Sequence, residues 1–224
     1  MPDGTPGWQV WLDERPLKTR AGVQQVVPTR ALGELLRQEW ADAPEEFGPE
    51  DFPLRDLADR AIDTISAEPG PIVARLLGFA DGDTLCYRAE PGEPVAHRQA
   101  AIWEPIVAHI EAEHGIELTR THGILHRPQP EASIGALRQR LEAESAFVLA
   151  GLDTAASLAA SLCVALAGLR EEADHAALWA AANLEQDWQA ERWGADEEAI
   201  ARRNEREADF TRALTFARAA RDTS

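Results

Sequence analysis

Residues 147–169 read FVLAGLDTAASLAASLCVALAGL, and this run decides the architecture. It is the most apolar stretch of the chain and carries one charge, Asp153. Its longest uncharged part, residues 154–169, falls short of the roughly 20 residues that a bilayer crossing requires. The other home for such a segment is the middle of a water-soluble fold. Its many Ala, Ser and Thr residues let neighbouring helices approach closely. The run therefore predicts one buried central helix, with the remaining elements arranged around it.

C-terminal to it, Glu171-Glu172-Ala173-Asp174 opens a long helix expected to end at Trp193. Glu185, Gln189 and Trp193 follow an i, i+4, i+8 spacing and share one stripe of that helix. Ala181, Leu184 and Trp188 lie on a neighbouring stripe that reads as core. Gly194 is expected to end the helix in the left-handed conformation. Asp196, Glu197 and Glu198 suit the electropositive start of a last helix over about 196–220, where Ile200, Phe210, Leu214 and Ala217 are sparse apolar positions among many charges. Two readings of residues 185–198 stand side by side. One is a capped helix pair with solvated acids. The other is a rigid acidic and aromatic surface built to hold another protein.

N-terminal to the run, residues 8–27 read as three short strands. Trp8, Val10 and Leu12 alternate with Gln9 and Trp11, and Asp13-Glu14-Arg15-Pro16 makes a turn. Leu17 and Thr19 return, Ala21-Gly22 turns again, and Val23, Gln25 and Val27 form the third strand. A meander this small needs a helix packed on it. Thr29 is a plausible N-cap for one over residues 30–41, with Leu32, Leu35, Leu36 and Trp40 at helical spacing. A Pro-rich acidic loop leads to a second helix whose stripe is Leu57, Ala58, Ala61, Ile62 and Ile65, with Asp56, Asp59 and Asp63 off it. A short helix over 72–80 follows, and residues 85–88 read as a further helical turn or two.

Glu90-Pro91-Gly92-Glu93-Pro94 is a linker signal. It divides a β-containing part, residues 1–93, from a helical part, residues 94–224. In the second part, a helix over 96–113 is kinked or restarted at Pro105. Residues 116–125 are β-like and could rejoin the N-terminal sheet. A helix with Ile134, Leu137 and Leu141 inward follows Pro128 and Pro130. The fold class is α+β, a small N-terminal β-meander with packed helices followed by a larger all-helical domain.

The 224 residues carry a formal net charge of −17. That charge argues against nucleic acid and anionic membrane surfaces as partners. Cys86 and Cys163 lie in apolar settings and read as buried free thiols. The N-terminus carries Asp3 and Gly4 and no basic or hydrophobic run, so neither a secretory signal nor a transit peptide is expected, and a cytoplasmic location is.

His122 and His126 are four apart, but Gly123 and the β-like setting argue against a shared helix face and a metal site. Cys86 beside Tyr87 and Arg88 has no paired His signal. Neither a phosphate-binding Gly-rich loop nor a dinucleotide fingerprint occurs. The residues point to a binding protein. The alternative is a hydrolase or metal enzyme using His122, His126 or Cys86.

Several blocks, in register, resemble one family. Val10-x-Leu12-Asp13-x-Arg15-Pro16-Leu17-x-Thr19 is similar to its opening "LDGRPLRTP", and Val27-Pro28-Thr29 with Leu32 follows. Glu39-Trp40, Phe52-Pro53-Leu54, Ile62-Asp63, Asp83 to Arg88, Gln99, Trp103-Glu104-Pro105, Gly123-Ile124 and Gln129-Pro130 continue the pattern. Glu185-x-x-x-Gln189-x-Glu191-x-Trp193-Gly194-x-Asp196 closes it. The chain resembles the chaperones that assemble the F1 sector of ATP synthase, in the branch that holds the free alpha subunit. Glu14 stands where the family usually has Gly, Arg20 where it has Pro, and Gln186 where it has a second acid.

The resemblance implies a small β-containing domain, a larger helical one, no ATPase activity, no catalytic or metal-ligating residue and no cofactor. It implies binding of the unassembled F1 alpha subunit by a monomer that does not insert in the membrane. Trp193 and Trp188 would be anchors. Glu185, Glu191 and Asp196 would meet basic groups on the partner, with Gln189 and Gly194 in the same corner.

Overall fold

The structure, a computed structural model, describes residues 7–123, 125–194 and 196–221. Asp3, Gly4, Ile124 and Ala195, which enter the readings above, lie outside them. The short strands are β1 Trp8–Gln9, β2 Trp11–Leu12, β3 Arg15–Pro16, β4 Val26–Val27, β5 Tyr87–Arg88 and β6 Thr121–His122. The helices begin with α1 Arg30–Ala41, α2 Pro53–Arg60, α3 Gly70–Asp81, α4 Pro94–His114 and α5 Glu131–Glu142. They continue with α6 Ala146–Ala159, α7 Leu162–Ala167, α8 His175–Ala182, α9 Leu184–Trp193 and α10 Glu197–Arg221.

The apolar run is buried at the centre as expected, but it is two helices. Ala160 turns left-handed (φ 49°, ψ 35°) and ends α6. Ser161 then caps α7, its Oγ accepting from Val164 N at 3.0 Å. The cause is a buried carboxylate from another part of the chain. Asp83 accepts from Ser161 Oγ (2.7 Å), Cys163 N (2.9 Å) and Leu85 N (3.0 Å). Thr84 donates both its N–H (3.1 Å) and its hydroxyl (2.8 Å) to Ala160 O. A continuous helix would hide the very groups that these bonds use.

α10 packs along α6. A Cβ added at Gly151 would stand 2.5 Å from Ala213 O, so only glycine permits this approach of the two backbones. Asp153, the lone charge of the run, is 1% exposed and paired with Arg60 and Arg75 from neighbouring helices. Burying that carboxylate alone would be costly, and the two guanidiniums offset the charge.

The meander forms with β1 antiparallel to β4, β2 antiparallel to β3, and a bridge between Lys18 and Gln24. Its first strand thus touches both the second and the third. Thr29 caps α1 as read, accepting from Leu32 N at 3.1 Å. Glu39 reaches the start of α2, accepting from Leu54 N (2.6 Å) and Arg55 N (2.9 Å), while Trp40 stacks on Phe52 at 4.1 Å.

The acids off the stripe, on α2 and on the π-helical segment Ala61–Ile65 that continues it, are the docking face for the meander. Buried Asp59 accepts from Gln25 Nε2 (2.6 Å) and Arg20 N (3.1 Å). Asp63 accepts from Thr19 Oγ1 at 2.7 Å. Asp56 takes both oxygens to Arg20, so the arginine at this position has its own local partner.

Four further expectations are corrected. Residues 84–86 make a 3₁₀ turn and Tyr87–Arg88 a strand, not helix. That strand pairs in parallel with Thr121–His122, so the β-like segment joins β5 and not the meander. The helix read from Glu171 to Trp193 is α8, capped by Asp174, and α9, separated at Asn183 (φ −103°). Pro105 lies inside α4, which runs unbroken for 21 residues.

Buried side chains from Val10 to Ala220 form one contiguous core, and Thr29 Oγ1 donates to Ala219 O at 2.5 Å. The fold is α+β, dominated by helix.

Asp83 sets the break at the centre of this core, and its removal is the sharpest test of that role. Asp83→Ala leaves three buried donors without an acceptor, which should cost about 3 kcal/mol or more. Chemical denaturation should show the midpoint fall accordingly. A change within experimental error would mean that the α6–α7 break does not depend on this carboxylate.

Candidate functional site

The site is built on α9, which two neighbours hold. From α4, fully buried Trp103 donates Nε1–H to Ala181 O at 2.7 Å. Gln99, also fully buried, accepts from Ala89 N (2.8 Å) and donates Nε2–H to Glu185 Oε1 (2.6 Å). It ties the exit of β5 to the first turn of α9. Arg98 forms a two-pronged pair with Glu191 (2.7 and 2.9 Å) and lies 5.7 Å over Trp188. Arg192 stacks on the same indole at 4.6 Å. From α10, Arg203 grips Asp187 with two bonds (2.9 and 2.7 Å).

Trp193 ends this braced helix and is 76% exposed. Gly194 N donates to Ala190 O at 2.8 Å. Its φ of 83° is positive, as the helix end requires, but ψ is 159°. This is the extended mirror region open to glycine, not the left-handed helical one. Asp196 then accepts from Ala199 N at 2.7 Å, capping α10.

Glu185, Trp188, Gln189 and Trp193 line one open groove of about 820 Å³. The facing wall comes from Tyr87 to Glu90, the segment Glu93–Val95, and Gly123. Glu191, Gly194 and Asp196 fix the element instead. The carboxylate of Glu191 turns onto α4, and its hydrogen bonds from Arg98 hold its pKa below the usual carboxylate range. Trp188 is half-buried in the groove wall and not in the core, where Ala181 and Leu184 do lie.

Sequence reasoning missed the facing wall and both α4 side chains. Gln99 was visible only as a motif letter, and nothing local marked Arg98, whose partner is 93 residues away.

The candidate catalytic groups do not converge. His122 Nδ1 sits 2.9 Å from Ala89 O. His126 Nδ1 is 2.7 Å from the Tyr87 hydroxyl, and its Nε2 is 3.2 Å from Asp81. Cys86 is fully buried, and burial together with Asp83 pushes its pKa up to about 12. It is therefore a thiol at neutral pH and a poor nucleophile. Among the described residues, no group of three or more His, Cys, Asp and Glu is placed to hold a metal ion. No described helix is long and apolar enough to cross a membrane.

The chain is similar to known proteins along most of its length. The profile of the ATP12 chaperone protein family matches residues 2–111. The mitochondrial protein atp12 of Schizosaccharomyces pombe is 26% identical over 202 residues, covering 85% of this chain and 69% of that protein. The crystal structure of Atp12 from Paracoccus denitrificans superimposes with a TM-score of 0.89 at 32% identity, over 96% of this chain and 92% of that one. A candidate chaperone from Agrobacterium tumefaciens gives a TM-score of 0.90 at 36% identity, over 96% and 80% of the two chains. These two structural matches, unlike the profile, extend through α9 and the groove. The chain belongs to the ATP12 family, the chaperones of ATP synthase assembly.

Proposed function

We propose that this chain binds the unassembled alpha subunit of F1 and hands it on when the beta subunit takes the same surface. An unassembled alpha subunit exposes apolar interface and is prone to aggregate. A binder covering a patch of roughly 1,600 Å² blocks that route while remaining displaceable.

The observation that carries this reading is Trp193, three-quarters exposed at the end of a helix braced on two sides, with Glu185 anchored two turns earlier on the same stripe. Large aromatics presented rigidly are the residues that most often dominate binding energy. Trp188 and Gln189 extend the contact along the groove. Glu191 and Asp196 contribute by setting the position of α9 and α10, and Gly194 by the turn between them.

On this reading the protein acts without catalysis or a cofactor, as a cytoplasmic monomer. The division near Glu93 separates a supporting β-containing part from the helical part that carries α9.

Mixed at equimolar ratio with purified alpha subunit, the chain should suppress light scattering by aggregating alpha without ATP. Unchanged scattering would contradict the proposal. Trp193→Ala should weaken alpha binding by about tenfold or more, measured by interferometry. Its melting temperature should stay at the wild-type value, because the indole packs on little. A large drop in melting temperature would instead assign Trp193 a structural role.

A further inference from the structure

We infer that the open half of the groove captures a cationic side chain, an arginine above all, from the client protein. This rests on the alpha-binding proposal for the identity of the client, but the chemistry comes from the groove itself.

Three acidic residues line the groove: Glu185 from α9, and Glu90 and Glu93 from the segment between β5 and α4. All three residues are exposed, and none enters an ion pair among the described residues. The Glu90 carboxylate lies against Gly123, where an added Cβ would be 3.2 Å from its Oε1. Glu185 is aimed by its bond from Gln99.

Two cations also line the groove, and both are engaged. Arg88 is 8% exposed, donates to Leu85 O at 2.6 Å, pairs with Glu104 at 3.2 Å and lies over Trp103. Arg192 stacks on Trp188. Stacking does not cancel the charge of Arg192, so the three acidic residues set against these two guanidiniums leave the lining of the groove net negative.

The aromatic side shows the same vacancy. Trp188 already faces two guanidiniums. Among the described residues none stacks on Trp193, which is the more exposed indole. A guanidinium laid on Trp193 would meet a negative π face in a groove whose lining also includes three acidic residues. Its aliphatic stem would run along Tyr87, Pro94 and Val95. A lysine would gain the charge but not the planar stacking.

Two measurements test this. In the first, blocked tripeptides centred on arginine, lysine or citrulline are titrated into the full-length chain while the Trp193 indole N–H resonance is followed. The arginine peptide should shift it most, lysine less, and citrulline, which has the same shape without the charge, should leave it in place. Equal shifts from arginine and citrulline, or none from either, would overturn the inference.

In the second, the Glu90→Gln/Glu93→Gln variant is compared with wild type for binding to isolated alpha subunit. Affinity should fall about tenfold, and the loss of affinity on adding salt should become shallower. Wild-type binding with no change in either quantity would overturn the cation site and leave the alpha-binding proposal standing. An arginine shift with no binding of alpha would do the reverse.

Discussion

A single buried carboxylate, Asp83, ties the centre of this protein to the groove lined by α9. Its three accepted hydrogen bonds hold the break between α6 and α7 on one side and the Leu85 turn on the other. Burial pushes its pKa up, while the bonds from Cys163, Ser161 and Leu85 act in the opposite sense by favouring the charged form. Fixing Leu85 and Cys86 in the core leaves no choice for the next residues. Tyr87 and Arg88 emerge as a strand at the groove wall, Ala89 meets Gln99, and Gln99 meets Glu185. One path of covalent and hydrogen bonds runs from the buried helices to the groove wall at Glu185.

The energy of that corner and its geometry come from different residues. Leu184, Ala181 and Trp103 are buried and supply the apolar contact that docks α8 and α9. The Arg98–Glu191 pair is exposed on both sides, and such pairs add little stability. Its forked geometry, with that of Arg203–Asp187, instead fixes the rotation of α9 and so the direction in which Trp193 points. A binding surface that is already ordered loses less entropy on association. This explains why a short ten-residue helix carries bracing from two others.

How far the sequence revealed this structure depended on the distance over which each decision was taken. The meander, α1 with its Thr29 cap and the inward stripe of α2 follow from residues within one or two turns of each other, and all were legible. The break at Ala160 was not, because the residue that dictates it lies 78 positions away from Ser161. Asp59 could be read only as lying off the apolar stripe, because Gln25 and Arg20, its partners, belong to the meander. The groove was half legible. Spacing placed Glu185, Gln189 and Trp193 on one stripe, but the opposite wall arrives through the parallel pairing of β5 with β6, which no local pattern announced. Gly194 was readable as a positive-φ residue, whereas its ψ is set by the path into α10.

An exposed indole in an open groove invites association with any apolar surface, including another copy of the same chain. The surrounding charge answers this. A two-fold contact between two such grooves would bring Glu90, Glu93 and Glu185 of one copy against the same residues of the other. The formal charge of −17 adds repulsion at longer range. On the proposed reading, the carboxylates would disfavour such a contact as well as favour a cationic client. Discrimination of this kind needs no extra contact with the client, because the unfavourable term falls only on the wrong partner. It also explains why the acids sit on both walls of the groove: an acid on one wall alone would leave the other free to pair with a neutral or acidic face.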